Sequence, residues 1–187
     1  MKGFIIAALA VAALACSSAA LAGSTKAVSG QLTGTSEWNQ DVRASSWTVH
    51  GTYTSDGLGS GTYAGTLTTN HVVLDASVED PPGCFETFFV PCNSPRFVVT
   101  GSITFTSKGA SITGTVGPGS WVVESDAFSA IDYPFSLNLE LGDGTKRFKH
   151  VTGSLSLSYN TEEMLRGCGA DCGKHFDGGT FTGTIEH

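Results

Sequence analysis

Positive charge is scarce in this chain. Ten Lys and Arg stand against seventeen Asp and Glu, a formal net charge of −7, and no basic run occurs anywhere. That balance argues against nucleic acid and anionic membrane as partners, because both are held mainly by clustered cations. Charged residues of either sign make up only 14% of the chain, while Gly, Ser and Thr are abundant. This composition suits an all-β extracellular protein better than a helical one. Long apolar runs are missing after residue 22, so no later segment reads as a membrane-spanning helix.

Several chemical motifs are missing as well. There is no Gly-x-Ser-x-Gly elbow to single out one serine and one of the five histidines for a triad. The glycines sit in strand and hairpin patterns with no following helix, which excludes a phosphate-binding loop. No loop has the regularly alternating carboxylates of an EF-hand, so Glu79, Asp80, Asp171 and Asp177 read as solvated loop acids. Cys168, Cys172 and His175 lack a fourth local ligand for zinc. No cofactor and no metal is expected.

What is present begins with a leader. Lys2, an apolar run from Phe4 to Ala15 and Ala20-Leu21-Ala22 form a secretory signal peptide over residues 1–22. The competing reading makes Cys16 a lipidated N-terminus. Cleavage after Ala22 would leave 165 residues, 23–187, enough for one domain with a real core. It would also leave Cys84, Cys92, Cys168 and Cys172. An even number of cysteines in an exported chain favours disulfides, and the pairing Cys84–Cys92 with Cys168–Cys172 closes two short loops.

The body of the chain is written in period two. Phe97, Val99, Gly101, Ile103 and Phe105 alternate with Thr100, Ser102, Thr104 and Thr106. Successive strand side chains point to opposite faces, so this is a strand with an apolar side and a hydroxyl side. After a turn at Ser107-Lys108-Gly109, Ile112, Gly114 and Val116 return. The same hairpin recurs at Trp47–Tyr53 with Tyr63–Leu67, and at Val151–Tyr159 with Phe181–Ile185. Gly51, Gly101 and Gly153 recur at intervals of 50 and 52 residues, a near-regular repeat.

Between these hairpins the boundaries read as follows. Residues 23–29 form a loose tail, Gly30–Thr35 a short strand, and Trp38–Ala44 a polar connection. Val72–Val78 is a strand of its own. Residues 79–95 hold four of the six prolines and form a loop. Trp121 to Asp126 alternates as a strand, with Trp121 and Val123 on its inner face. Tyr133–Leu141 is another strand, and Gly142-Asp143-Gly144-Thr145 a tight hairpin turn. The strand at Phe148–Tyr159 precedes a loop from Asn160 to Gly179, in which Thr161 caps one helical turn. About eight to nine antiparallel strands with inward glycines favour closure into a β-barrel, with a two-sheet sandwich as the alternative.

Gly142-Asp143-Gly144-Thr145-Lys146-Arg147-Phe148-Lys149-His150-Val151-Thr152-Gly153-Ser154-Leu155, with Gly179-Thr180-Phe181-Thr182-Gly183-Thr184-Ile185, resembles the C-terminal half of small secreted bacterial β proteins. Those are similar in turn to the allene oxide cyclase and dirigent barrels. The resemblance implies an eight-stranded barrel with a central cavity and carries no catalytic residue onto this chain.

Trp38, Trp121, Tyr133 and Glu124 are the candidate ligand-binding residues. Aromatic rings at a barrel rim stack on sugars or close over an apolar molecule. Glu124 and Asp126 lie about 7 Å apart along one strand face, and a cavity around them would raise one carboxyl's pKa. Threonine ladders also bind ordered water, but a twisted barrel lacks the flatness this needs. The expectation is therefore a secreted, non-enzymatic barrel that binds a small apolar molecule or a glycan. A barrel enzyme using one cavity carboxylate and a structural surface or matrix protein are the alternatives.

Overall fold

The computed structural model describes residues 24–41, 44–74, 96–123, 132–163 and 174–187. Nine strands occupy them: β1 (Thr25–Asp41), β2 (Ala44–Ser55), β3 (Gly59–Val73), β4 (Arg96–Ser107), β5 (Ala110–Val116), β6 (Trp121–Val123), β7 (Asp132–Gly142), β8 (Thr152–Glu163) and β9 (Lys174–Glu186). Every pairing is antiparallel, and the first strand pairs with the last, Thr25 opposite Glu186. With β3 also paired to β4, the sheet closes on itself. The protein is a β-barrel.

The barrel has eight staves, because β5 and β6 form one. β5 pairs with the lower part of β4 and of β7, and β6 with their upper parts, Val98 facing Trp121 and Trp121 facing Ser136. Gly117-Pro118-Gly119-Ser120 bulges out between them. Proline cannot donate to a ladder, so the stave is interrupted there. Ser120 repairs the gap: its buried Oγ accepts from the Asn138 backbone N–H at 2.9 Å and donates to the Gly117 carbonyl at 2.8 Å.

Following register partners once around the ring from Ser36, through Val49, Gly65, Ile103, Gly114, Leu141, Gly153 and Ile185, returns to Lys26, ten residues lower on β1. That stagger tilts the staves by about 40° and leaves an interior that side chains can fill. They do fill it. Trp47 on β2 meets Phe135 on β7, Tyr63 on β3 meets Tyr159 on β8, and Phe105 on β4 meets Phe181 on β9. Each pair joins staves four apart in the ring of eight, so these rings touch across the barrel axis. Around them Val49, Leu67, Ile103, Ile112, Leu137 and Leu157 are fully buried.

The inward glycines make room for these rings. Gly34 lies opposite Gly51, and a Cβ on Gly34 would sit 2.1 Å from the His50 carbonyl and 2.6 Å from the Tyr63 hydroxyl. Gly101 and Gly153 adopt φ of 135° and 152°, values that side chains rarely accept.

The expected faces are as read: Trp47, Val49 and Tyr53 are buried, and Thr48, His50, Thr52 and Thr54 exposed. Several boundaries need correction. Of the tail expected at 23–29, Thr25 to Ser29 are the lower part of β1, held by pairing with β9, with Val28 buried, and residue 23 lies outside the described residues. Of the connection expected at Trp38–Ala44, Trp38 to Asp41 are the upper part of β1 and Ala44 starts β2, with Trp38 opposite Trp47 and Asp41 opposite Ala44, while residues 42 and 43 lie outside the described residues. Val72 and Val73 end β3, and residues 75–78 lie outside the described residues, as does the proline loop to residue 95. The loop expected from Asn160 to Gly179 is strand at both ends, Asn160–Glu163 closing β8 and Lys174–Gly179 opening β9. Thr161 is therefore no helix cap, because it pairs with Tyr133 and Asp177.

The tight turn expected after Gly142 is a plug. Asp143 does take positive φ (50°), but the chain then winds through a 3-10 turn at Lys146–Phe148 before β8 starts at Thr152 rather than Phe148. Phe148 and Val151 are buried under it, beside Leu58 from the β2–β3 turn. Arg147 locks the two together, donating from Nη2 to the Leu58 carbonyl at 2.7 Å while lying over the Phe148 ring.

Candidate functional site

Strand direction sorts the molecule into two ends. The turns at Asp56–Leu58 and Lys108–Gly109, the 3-10 plug and the outer ends of β1 and β9 share one end, called here the lower. The upper ends of β1 and β2, β3 and β4, β6 and β7, and β8 and β9 share the other. The sequence candidates gather toward this upper end. Trp38 lies near the top of β1, and Tyr133, second residue of β7, faces Thr161. Glu124, Asp126, Cys84, Cys92, Cys168 and Cys172 lie outside the described residues. No group of three or more metal-ligating side chains occurs among the described residues.

Trp121 is the candidate whose surroundings are defined. Its neighbour Val122 is buried in the core and pairs with Phe97 and Phe135. Alternation therefore turns Trp121 outward, which corrects the inner-face expectation. Its ring is partly exposed on the outer wall, with the Arg96 guanidinium 4.6 Å from the ring centroid. Arg96 and Trp121 sit on diagonal positions of β4 and β6, which is why they stack.

One stave across from the Trp121 backbone, the outer wall is hollowed on β7, β8 and β9, in a groove whose lining does not include the Trp121 ring. Ser136, Ser156, Ser158, Thr180 and Thr182 line a groove of about 230 Å³, with Leu157 and Phe181 contributing to its floor. The register explains the arrangement. Trp121, Ser136, Ser158 and Thr180 form one row across β6, β7, β8 and β9, and Ser156 and Thr182 stand in the next row below. Adjacent staves lie about 4.8 Å apart, so the hydroxyls repeat at that interval. The groove exists because short serines occupy positions 136, 156 and 158, where the other walls carry mostly threonine. No ionisable side chain lines it.

In the sequence Ser154, Ser156 and Ser158 alternate with Leu155, Leu157 and Tyr159 and so mark an outward face, but not this groove. Its signal was the run of three alternating serines, the shortest hydroxyl side chain three times in succession.

On other walls several outward hydroxyls pair with their cross-strand neighbours. Thr33 and Thr52 hydroxyls bond at 3.2 Å, Thr104 and Thr113 at 3.0 Å, and Thr35 reaches His50 Nε2 at 3.0 Å. At the lower end, Asp56 Oδ1 accepts the Ser29 backbone N–H at 2.7 Å. That bond, helped by the Ser29 hydroxyl and Lys26 against a smaller desolvation effect, holds the Asp56 carboxyl below its ordinary range. The Tyr53 hydroxyl is buried with no partner in hydrogen-bond geometry. Burial raises its pKa, against smaller opposing effects of Ser107 and Arg147.

No family model, curated protein or solved structure matches the chain.

Proposed function

We propose that this protein is an exported, non-enzymatic carbohydrate-binding module that holds a segment of a glycan on its outer wall. The observation that carries the reading is a hydroxyl-lined groove on β7, β8 and β9, with the partly exposed Trp121 in the same backbone register row as Ser136, Ser158 and Thr180. Sugars present an apolar face and an equatorial belt of hydroxyls, which an aromatic ring beside short hydroxyl side chains complements. At about 230 Å³ the groove is smaller than the roughly 300 Å³ at which small-molecule pockets begin, so it fits part of a longer chain lying across the staves.

An apolar ligand inside the barrel is the less favoured reading, because the protein's own rings meet across the axis at the levels of Trp47–Phe135, Tyr63–Tyr159 and Phe105–Phe181. Catalysis in the groove is disfavoured because general acid–base chemistry needs a titratable group within hydrogen-bond reach of the reacting atom, and the lining has none.

The test is titration of the protein with neutral and acidic oligosaccharides, followed by Trp fluorescence and by amide shifts. Binding should move the Ser136, Ser158 and Thr180 amides. Trp121→Ala should weaken it about ten-fold, the scale of one lost aromatic contact, and His50→Ala on another wall should leave it unchanged. A panel of glycans that moves none of these signals would end the reading.

A further inference from the structure

The sequence has no basic run, yet the fold gathers cations at the lower end. Lys108 comes from the β4–β5 turn, and Lys146, Arg147 and Lys149 come from the plug, all of them exposed. The plug is pinned to that hairpin: the Thr145 N–H donates to the Ser111 carbonyl at 2.8 Å, and Thr145 Oγ1 accepts the Ser111 N–H at 2.9 Å. Lys146 then reaches over the turn, its Nζ 3.1 Å from where a Cβ on Gly109 would stand, beside Lys108. Among the described residues none of Lys108, Lys146 and Lys149 has an ion-pair partner. The neighbouring acids leave a surplus. Asp143 is the one carboxylate of residues 142–150, and Glu186 stands on β9 opposite Thr152. Glu140, exposed on the wall above, leans up toward Gly117 and away from the plug.

The backbone adds a second observation. Lys108 and Gly109 form a two-residue hairpin loop with φ of 50° and 73°, and Lys146 also has φ of 50°. Positive φ is uncommon outside glycine, and such loops prefer asparagine, aspartate or glycine. Among the described residues three others take it, Lys108, Asp143 and Lys146, and two of the three are these lysines. Turn chemistry therefore does not account for a lysine at either position. Bringing ammonium groups onto one turn without an acid is also unfavourable, and an anion bound between them reverses that sign.

We propose that Lys108, Lys146 and Lys149 form a binding site for phosphate groups carried on a glycan. An ammonium is a compact point charge with rotatable donors, which suits a phosphate oxygen. The planar fork that grips a carboxylate is engaged elsewhere, because Arg147 turns to the Leu58 carbonyl. Thr106, Ser111, Thr113 and Thr145 flank the cluster with hydroxyls, which suit the sugar part of such a chain. A lipid surface fits less well, since the exposed large apolar residues among those described, Val72 and Val73, end β3 at the other end of the barrel and lysines alone anchor weakly. A nucleic acid fits less well too, because Phe148, the plug's one aromatic ring, is buried and offers no platform for bases. The site lies apart from the groove on β7, β8 and β9, and either can fail without the other.

Titration of the full chain with a phosphorylated dextran, beside the unmodified dextran, tests the proposal. At low salt the phosphorylated polymer should move the Gly109 and Thr145 amides and leave those of Ser136, Ser158 and Thr180 still, and inorganic phosphate should compete with it. Binding should weaken at least about ten-fold as salt shortens the screening length from about 30 Å at 10 mM to about 3 Å at 1 M. Lys108→Asn and Lys146→Asn should each weaken it about ten-fold, the scale of one charge-assisted hydrogen bond. Both variants should keep or raise the thermal midpoint, because asparagine accepts positive φ more readily than lysine. Lys26→Gln removes the same charge four staves away on β1, where Lys26 donates to the Asp56 carbonyl, and should leave binding unchanged. Any of four results would overturn the proposal: no binding at low salt, binding that both asparagine variants retain, an equal loss in Lys26→Gln, or asparagine variants with lowered midpoints. Shifts confined to the groove amides would assign the polymer to the groove instead. Equally tight binding of duplex DNA or of anionic phospholipid vesicles would reduce the site to unselective charge attraction and overturn it as well.

Discussion

The hydroxyls of Tyr63 and Tyr159 meet 3.1 Å apart across the barrel axis, their rings edge to face with centroids 6.3 Å apart. The two residues are 96 positions apart in sequence and stand on opposite staves, so their bond reports on closure of the ring itself. Removing either hydroxyl alone takes a buried hydrogen bond from the other. Removing both restores a matched apolar pair. Tyr63→Phe and Tyr159→Phe should each cost about 1–2 kcal/mol, and the double variant clearly less than their sum, a coupling of about 1 kcal/mol. Urea unfolding of the four proteins measures it, and strict additivity would contradict the contact.

Gly34→Ala should be among the most damaging single changes in the chain. Its Cβ would collide with the backbone carbonyl of His50 at 2.1 Å, and backbone cannot swing aside as a flexible side chain does. A loss of about 3 kcal/mol or more is expected. Gly142→Ala is the matched control, with nothing within 4 Å of the added carbon, and should stay within about 0.5 kcal/mol of the parent. Similar thermal midpoints for the two variants would refute the packing argument.

Ser120→Ala should expose the weakness of the broken stave. The change strips the Asn138 N–H of its acceptor, at a cost of about 1–3 kcal/mol. Hydrogen exchange at the Asn138 amide should quicken by a larger factor than at Leu137 or Leu139, whose environment the substitution leaves alone. Uniform acceleration along β7 would mean that the serine hydroxyl does not bridge the bulge.

Asp56 sets a pH dependence whose sign follows from its lowered pKa. A carboxyl that binds its proton less readily in the folded chain contributes stability above its ordinary pKa of 3.8. That contribution is lost as the pH falls through the lowered value. Asp56→Asn should therefore be less stable than the parent near neutrality, and the difference should close in acid. A difference that persists well below pH 3.8 would assign the effect to lost hydrogen-bond geometry rather than to charge.

How much of this was legible in the sequence depends on what each stretch buries. Wherever a stave packs against the axis, alternation is clean: Trp47, Val49 and Tyr53, or Leu155, Leu157 and Tyr159, name their own inner face. The upper parts of β1, β8 and β9 reach beyond the described core. There the residues Trp38-Asn39-Gln40-Asp41, Asn160-Thr161-Glu162-Glu163 and Lys174-His175-Phe176-Asp177 lose the period-two signal and read as connections. Their pairing follows from the long strands beside them, which no local pattern displays. The plug was hidden for the opposite reason. Asp143-Gly144 is sound turn chemistry, but the barrel floor needs Phe148 and Val151, so the chain takes extra residues to deliver them. Trp121 was legible as the start of a strand because Gly117-Pro118-Gly119 marks an interruption. Its outward direction was not, because the bulge shifts the register by an amount that only the pairing with β4 and β7 reveals. The serine groove needs the register of three staves at once.

The pairing of β1 with β9 has a consequence for how the molecule comes to exist. Sheet formation can run from β1 to β8 as the chain emerges, yet β1 and β8 each keep one row of backbone groups unmatched until β9 arrives between them. Ring closure is a contact of very long sequence separation, the kind that forms slowly and exposes strand edges to other chains meanwhile. The thirteen residues of β9 therefore decide the fate of all the rest, and loss of Lys174–Glu186 would convert an edgeless barrel into an open sheet with two adhesive margins.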